Sequence, residues 1–211
     1  QRPRTFAASV SRAVELGVDH LSLYALKLEP GTPLARAVET GELTAPAPDE
    51  AADCYSAARE LLAAAGFQQY EISNFARPGH RSQHNEHYWR GGRFIGLGPS
   101  AVGDDGAVRR KVTPDIEAWL DAVEAGREPP VELEEPTPRQ REIEFAMLNL
   151  RRLEGFSVRV FAERFGRDAF AAFPGLASHL EAGRLVLSGG ALRLSPEHLL
   201  TSDAVLRDLF D

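Results

Sequence analysis

Phe67-Gln68-Gln69-Tyr70-Glu71-Ile72-Ser73-Asn74 is the stretch that decides how this chain is read. Residues 67–72 are rich in strand formers and lie between Gly66 and a polar exit, which predicts a β-strand. Immediately before them, residues 49–65 form a long alanine-rich helical pattern closed by Gly66. Further upstream, residues 20–27 (HLSLYALK) alternate and predict a buried strand. Residues 3–16 carry Phe6, Val10 and Val14 at helical spacing and stop at Gly17. Glu29-Pro30-Gly31-Thr32-Pro33 punctuates the chain as a turn. Helix, strand, helix, strand at this spacing predicts parallel strands joined by helical crossovers, an α/β arrangement. Ligands of such folds sit beyond the carboxyl ends of the strands, where Glu71, Ser73 and Asn74 fall.

The segment that follows is chemically dense. His84-Asn85-Glu86-His87-Tyr88-Trp89 lies among Arg77, Arg81, Arg90 and Arg93, and Glu86 is the only acid between residues 74 and 95. The chain as a whole carries a formal charge of −7, so this local excess of arginine stands out. Guanidinium groups grip carboxylates in bidentate pairs, and Tyr88 and Trp89 offer flat apolar faces beside them. A flat hydrophobic ligand with carboxylates, such as a porphyrin, suits both features. His84 and His87 share a face if residues 84–88 are helical, but a two-histidine zinc site needs further ligands and no cysteine is near. A haem iron needs only one axial imidazole. The plainer reading, favoured for His80 and His87, is that these rings satisfy backbone groups in turns. His20, His179 and His198 read as structural or exposed. Glu71 lacks a second carboxylate, so it reads as a ligand-binding or arginine-orienting group more than as a general acid or base. Residues 94–101 (FIGLGPSA) read as a short apolar strand running into a glycine turn that lets a backbone approach a ligand.

Residues 115–125 predict a helix, and the proline- and glutamate-rich residues 126–138 (GREPPVELEEPTP) read as a linker. Beyond it come helices at 139–152, 157–165 (capped by Ser157) and 171–182 (closed by Gly183). A hairpin follows, formed by residues 184–187 and 191–194 around Ser188-Gly189-Gly190, and a last helix begins at Ser195. Three helices and a hairpin make an α+β, winged-helix-like module. From Glu132 onward 13 acids outnumber 10 bases, which argues against DNA, because phosphate contacts need lysine and arginine. The segments therefore divide as 1–112, 113–138 and 139–211.

Composition narrows the class. Cys54 is the only cysteine, which excludes an internal disulfide or a cysteine-rich metal site within the chain. It lies on the alanine-rich helix and reads as a small buried residue. No apolar run reaches membrane-spanning length, and a cytoplasmic location is the expectation. The only methionine is Met147 and the sequence opens on Gln1-Arg2-Pro3, so it reads as the carboxyl-terminal part of a longer protein.

Several blocks, in order, resemble one family. They are Leu23-Tyr24-Ala25-Leu26-Lys27-Leu28-Glu29-Pro30-Gly31-Thr32-Pro33-Leu34, Tyr70-Glu71-Ile72-Ser73-Asn74-Phe75-Ala76-Arg77-Pro78-Gly79, Ser82, His84-Asn85-x-x-Tyr88-Trp89 and Gly96-Leu97-Gly98-Pro99-Ser100-Ala101. These are similar to the HemW haem chaperones, radical SAM proteins related to oxygen-independent coproporphyrinogen III oxidase (HemN). The resemblance implies the last part of a partial (β/α) barrel followed by a HemN-type carboxyl-terminal domain. It implies haem binding through His84, Asn85, Tyr88 and Trp89, with His84 as the iron ligand; the local charge excess makes Arg77, Arg81, Arg90 and Arg93 the candidates for its propionates. It places Gly96, Gly98 and Val102 near S-adenosylmethionine; many chaperone relatives carry histidine where Val102 stands. The family's [4Fe-4S] cluster is held by a CxxxCxxC motif that this chain lacks, so cluster and S-adenosylmethionine are expected only in a full-length parent, with Gln1 falling just after the preceding barrel strand. Haem or porphyrin is the implied partner, with haem-accepting proteins beyond it. The alternatives are an authentic coproporphyrinogen dehydrogenase and, in another class, a winged-helix interaction module on a degenerate barrel.

Overall fold

The computed structural model describes residues 2–45 and 47–210; Gln1 lies outside them. They form two compact units, Gln1–Ser82 and Gln83–Asp211. The division falls inside the segment 1–112 set out above, just ahead of the His/Tyr/Trp motif.

In the first unit α1 (Pro3–Glu15) leads into β1 (His20–Ser22), then α2 (Pro33–Glu39), α3 (Pro48–Ala64), β2 (Gln68–Gln69) and β3 (Asn74–Ala76). Proline opens each helix, where its missing N–H costs nothing. The Thr32 hydroxyl caps α2 by accepting from Ala35 N–H at 3.2 Å. Val10 of α1, Ala58 and Leu62 of α3, Phe67 and Phe75 form the buried core, with Phe6 and Val14 packed against it.

The expected parallel pairing is corrected here. β3 lies between β1 and β2 and runs antiparallel to both, so the two strands share a direction but do not touch as neighbours. The cause lies at residues 71–73. The chain doubles back there, with Tyr70 N–H donating to Asn74 O at 3.1 Å and Ser73 N–H donating to the Glu71 carboxylate at 2.8 Å. Glu71, Ser73 and Asn74 therefore build a hairpin turn and its return strand, and Glu71 and Asn74 are buried. β1 also ends earlier than expected. Because β3 is three residues long, the ladder stops at Ser22↔Asn74, and Tyr24 and Leu26 are exposed.

The second unit contains α4 (Gln83–Trp89), β4 (Val102–Asp104), β5 (Arg109–Val112), α5 (Ile116–Glu124) and β6 (Val131–Glu134). The segment read as a linker is corrected: its Val131-Glu132-Leu133-Glu134 core is a strand, antiparallel to β5. Cross-strand pairing of Arg109 with Glu134 and Lys111 with Glu132 sets opposite charges face to face. The apolar strand expected at Phe94 is also corrected. Phe94 makes only an isolated bridge to Asp104, and Ile95 and Leu97 are among the most exposed apolar residues.

The rest is α6 (Pro138–Leu150), β7 (Phe156–Ser157), α7 (Val158–Phe165), α8 (Ala169–Ala172), α9 (Leu176–Glu181), β8 (Leu185–Ser188), β9 (Ala191–Leu194), a 3₁₀ turn at Pro196–His198 and α10 (Ser202–Phe210). Thr137 and Gln140 form a capping box at the start of α6. The helix expected at 171–182 is split, because Pro174 cannot continue α8 and Gly175 restarts the chain into α9. The hairpin stands as read: Gly189 and Gly190 both hold positive φ (58° and 75°), the conformation a two-residue turn between twisted strands requires. β7 completes the three-stranded wing. Phe145, Phe156, Phe161, Phe165 and Phe173 interlock with ring centroids 4.8–5.9 Å apart.

Candidate functional site

The motif residues lie on α4, seven residues long. One face turns inward on Glu86, a buried carboxylate. Its Oε2 accepts from Arg90 at 2.6 Å, one turn on, and from Arg152 at 3.5 Å, just beyond α6. Arg152 is itself buried and also donates to Glu154 at 2.6 Å. The one acid of the arginine-rich segment is thus an anchor that holds α4 to the end of α6. Sequence reasoning missed it; the signal available was an acid at i−4 from Arg90 inside an aromatic run.

The other face carries His84 and Tyr88, one turn apart. Their rings meet edge-on at 4.7 Å, and Tyr88 meets Phe94 at 4.6 Å, giving a continuous aromatic surface. His84 is exposed, and among the described residues its imidazole has no hydrogen-bond or ion-pair partner. His87 differs completely. Its Nε2–H donates to the Arg93 carbonyl at 2.6 Å, and the ring fills the space over Gly92, where a Cβ would lie 2.3 Å from the imidazole. That bond fixes the ring and occupies one nitrogen, so His87 shapes the turn after α4. Gly91 ends the helix with φ 67°. His80 faces Asp19 at 3.5 Å in the first unit. Trp89 is half-buried, and its Nε1 is enclosed without a hydrogen-bond partner among the described residues.

The four arginines divide by what already engages them. Arg77 donates to the Ala65 carbonyl at 3.2 Å, lies 3.7 Å from Asp19 and stacks over Phe67. Arg81 stacks over Tyr70. Arg90 is held by Glu86. Arg93 is exposed and makes no hydrogen bond through its guanidinium among the described residues.

The glycine loop is shaped by its own backbone. A Cβ on Gly96 would lie 2.4 Å from the Val102 carbonyl oxygen, so only glycine allows the loop to cross β4 there. Gly98 holds φ 102°, with open space where its Cβ would be. Asp104, at the end of β4, is buried, which pushes its carboxyl up; hydrogen bonds from Arg141 and from Gly106 N–H, with Arg109 nearby, outweigh this and hold it below the usual carboxylate range.

Among the described residues no group of histidine, cysteine, aspartate and glutamate side chains could hold a metal ion by itself. Cys54, half-buried on α3, is a single thiol, and the three thiolates of a [4Fe-4S] motif are not supplied by this chain. A haem is a different case: one exposed, unengaged imidazole over an aromatic face, with a guanidinium nearby in sequence, fits its axial and propionate requirements. No helix of the described residues is long and apolar enough to cross a membrane.

Comparison with known proteins follows the same lines. Residues 137–200 match the HemN C-terminal domain. The heme chaperone HemW of Mycobacterium tuberculosis is 37% identical over 203 residues, covering 95% of this chain and 50% of that protein. The heme chaperone HemW of Bacillus subtilis is 31% identical over 93% of this chain and 52% of its own length. The mouse mitochondrial radical S-adenosyl methionine domain-containing protein 1 is 55% identical over 85 residues, 40% of this chain and 19% of its own. The fold matches that of the radical SAM enzyme coproporphyrinogen III oxidase (HemN) from Escherichia coli with a TM-score of 0.78 and 17% identity, over 100% of this chain and 52% of that one. The chain spans about half the length of the curated relatives it matches. Along almost its whole length the chain is similar to the HemW heme chaperones, residues 137–200 match the HemN C-terminal domain, and the fold is that of HemN.

Proposed function

From that similarity we propose that this chain is the haem-handling portion of a HemW-type haem chaperone. His84 is its iron ligand, and Asn85, Tyr88 and Trp89 complete the motif helix. The observation that carries the reading is the contrast between two histidines on one short helix. His87 is consumed by the Arg93 carbonyl, whereas His84 stands exposed over Tyr88, its ring nitrogens without a hydrogen-bond partner among the described residues. An imidazole nitrogen free of other bonds is what would hold a haem iron, and the iron would supply the Lewis acid that accepts it. The chain's own contribution is to hold that ring. The Glu86–Arg152 anchor fixes the inner face of α4, and the Tyr88–Phe94 contact fixes the surface beneath the imidazole.

The relatives named as heme chaperones support haem as the ligand, and the absence of a thiolate set from this sequence means that no radical step is assigned to these residues. Hemin titration followed by Soret absorbance tests the assignment. His84→Ala is expected to abolish the ligation shift, while His87→Ala, after a thermal melt confirms folding, retains it. Retention of the shift in His84→Ala overturns the role given to His84.

A further inference from the structure

Beside the motif helix, the second unit contains a cavity of about 290 Å³ that the sequence reading did not anticipate. Tyr88, Phe94, Phe145, Met147 and Leu148 are among the residues that line it. Three of these, Phe145, Met147 and Leu148, lie on α6, within the stretch that matches the HemN C-terminal domain. The cavity therefore joins the motif's own tyrosine to a domain for which the motif implies no role in binding.

The charges around it are unequal. Four guanidiniums, of Arg93, Arg109, Arg141 and Arg164, line it against two carboxylates, of Asp104 and Glu144. Both carboxylates are already taken. Arg141 donates to Asp104 at 2.6 Å, and Arg109 donates to Glu144 at 2.8 Å and to Asp104 at 3.4 Å. Arg93 and Arg164 remain. Neither has a carboxylate within ion-pair distance among the described residues. Asp105 feels Arg93 only at longer range. Arg164 is held in place without spending its charge, since its guanidinium stacks over Phe145 at 5.1 Å and Phe165 at 5.5 Å. A cation that is positioned but unneutralised, at the mouth of an aromatic cavity, is an anion receptor in waiting.

We propose that this cavity is a carboxylate subsite, in which Arg93 and the domain's own Arg164 grip an acidic side arm of a planar aromatic ligand whose edge rests on Tyr88 and Phe94. The volume is at the lower limit of small-molecule sites, so it suits one acidic edge of a larger ligand and not a whole tetrapyrrole. This rests on the haem reading above and adds to it. The ligand is selected by its propionates as well as by its iron, and the carboxyl-terminal domain takes part in binding.

The test compares hemin with hemin dimethyl ester, which has the same ring and iron but no carboxylates. Soret titrations use the whole chain, as wild type, Arg93→Gln and Arg164→Met. Methionine keeps apolar contact with Phe145 and Phe165, and a thermal melt checks each variant; if Arg164→Met unfolds, Arg93→Gln carries the test alone. Each variant is expected to bind hemin about tenfold more weakly, the size of one charge-assisted hydrogen bond, with the Soret position unchanged and ester affinity equal to that of wild type. Equal loss for both ligands, or no loss for either, overturns the subsite and leaves the role of His84 intact. Wild-type protein that shows no Soret change with either ligand overturns the haem reading and the subsite together.

Discussion

The carboxyl-terminal module and the amino-terminal unit solve the burial problem differently. The module interlocks the rings of Phe145, Phe156, Phe161 and Phe173, and these together with Leu176, Leu192 and Leu206 are almost wholly removed from water. The amino-terminal unit rests on a narrow core between α1, α3 and the middle strand, and leaves Tyr24 and Leu26 more than half exposed. One region is the more closed, its exposed large apolar side chains (Val160, Leu187 and Leu200) all less than half exposed. The other carries apolar side chains that its own elements do not cover. The difference teaches that the site helix α4 draws its rigidity from the closed region, because Glu86 is tied to Arg152 there and Tyr88 shares a cavity with Phe145.

The largest expected effect tests whether the module's core is as decisive as it looks. Phe161 is fully buried and touches the rings of Phe145, Phe156, Phe165 and Phe173. Phe161→Ala is expected to cost about 3–5 kcal/mol, the usual range for deleting a buried aromatic ring. Urea unfolding monitored by far-ultraviolet circular dichroism measures it. A loss under about 1 kcal/mol would break the comparison at its stronger end.

The next effect concerns the anchor. Arg152→Met removes one partner of a nearly buried pair and leaves Glu86 with Arg90, which is expected to cost about 3 kcal/mol, at the low end for such removals. Adding Glu86→Gln to it should recover part of that loss, and the double-mutant cycle isolates the coupling. Additive losses would show that the ion pair does not tie α4 to the module.

Local chemistry was legible in the sequence and long-range pairing was not. The Ser157 cap and the two-glycine hairpin could be read because capping and turn geometry are set within a few residues. The direction of β3 could not be. Nothing local to Phe67-Gln68-Gln69-Tyr70 says that the next strand returns between its neighbours; that depends on the buried turn Glu71 makes with Ser73. Pro129 and Pro130 suggested a linker, yet they precede a strand whose glutamates find Arg109 and Lys111 across a ladder. At the site, His87 reads from residue type as a ring that satisfies a backbone group, and the structure supplies the reason: Gly92 opens the space that the ring fills as it bonds the Arg93 carbonyl. Arg164 was invisible, since it lies 71 positions beyond Arg93 and joins it only through folding.

The smallest expected effect probes the open end of the comparison. Tyr24 and Leu26 follow β1 after the ladder has ended; both are more than half exposed and line an apolar cleft with Phe6, Ala51, Cys54 and Tyr55. An exposed apolar side chain contributes little to folding, so Leu26→Ser is expected to change stability by no more than about 0.5 kcal/mol, within the range of ordinary surface substitutions. Its effect should fall on association. Uncovered apolar residues at the end of a strand promote contact between copies, and a serine there should raise the concentration at which light scattering appears. A stability loss comparable to that of Phe161→Ala would mean that Leu26 is covered in solution, and the two regions would then be alike in how they bury their apolar surface.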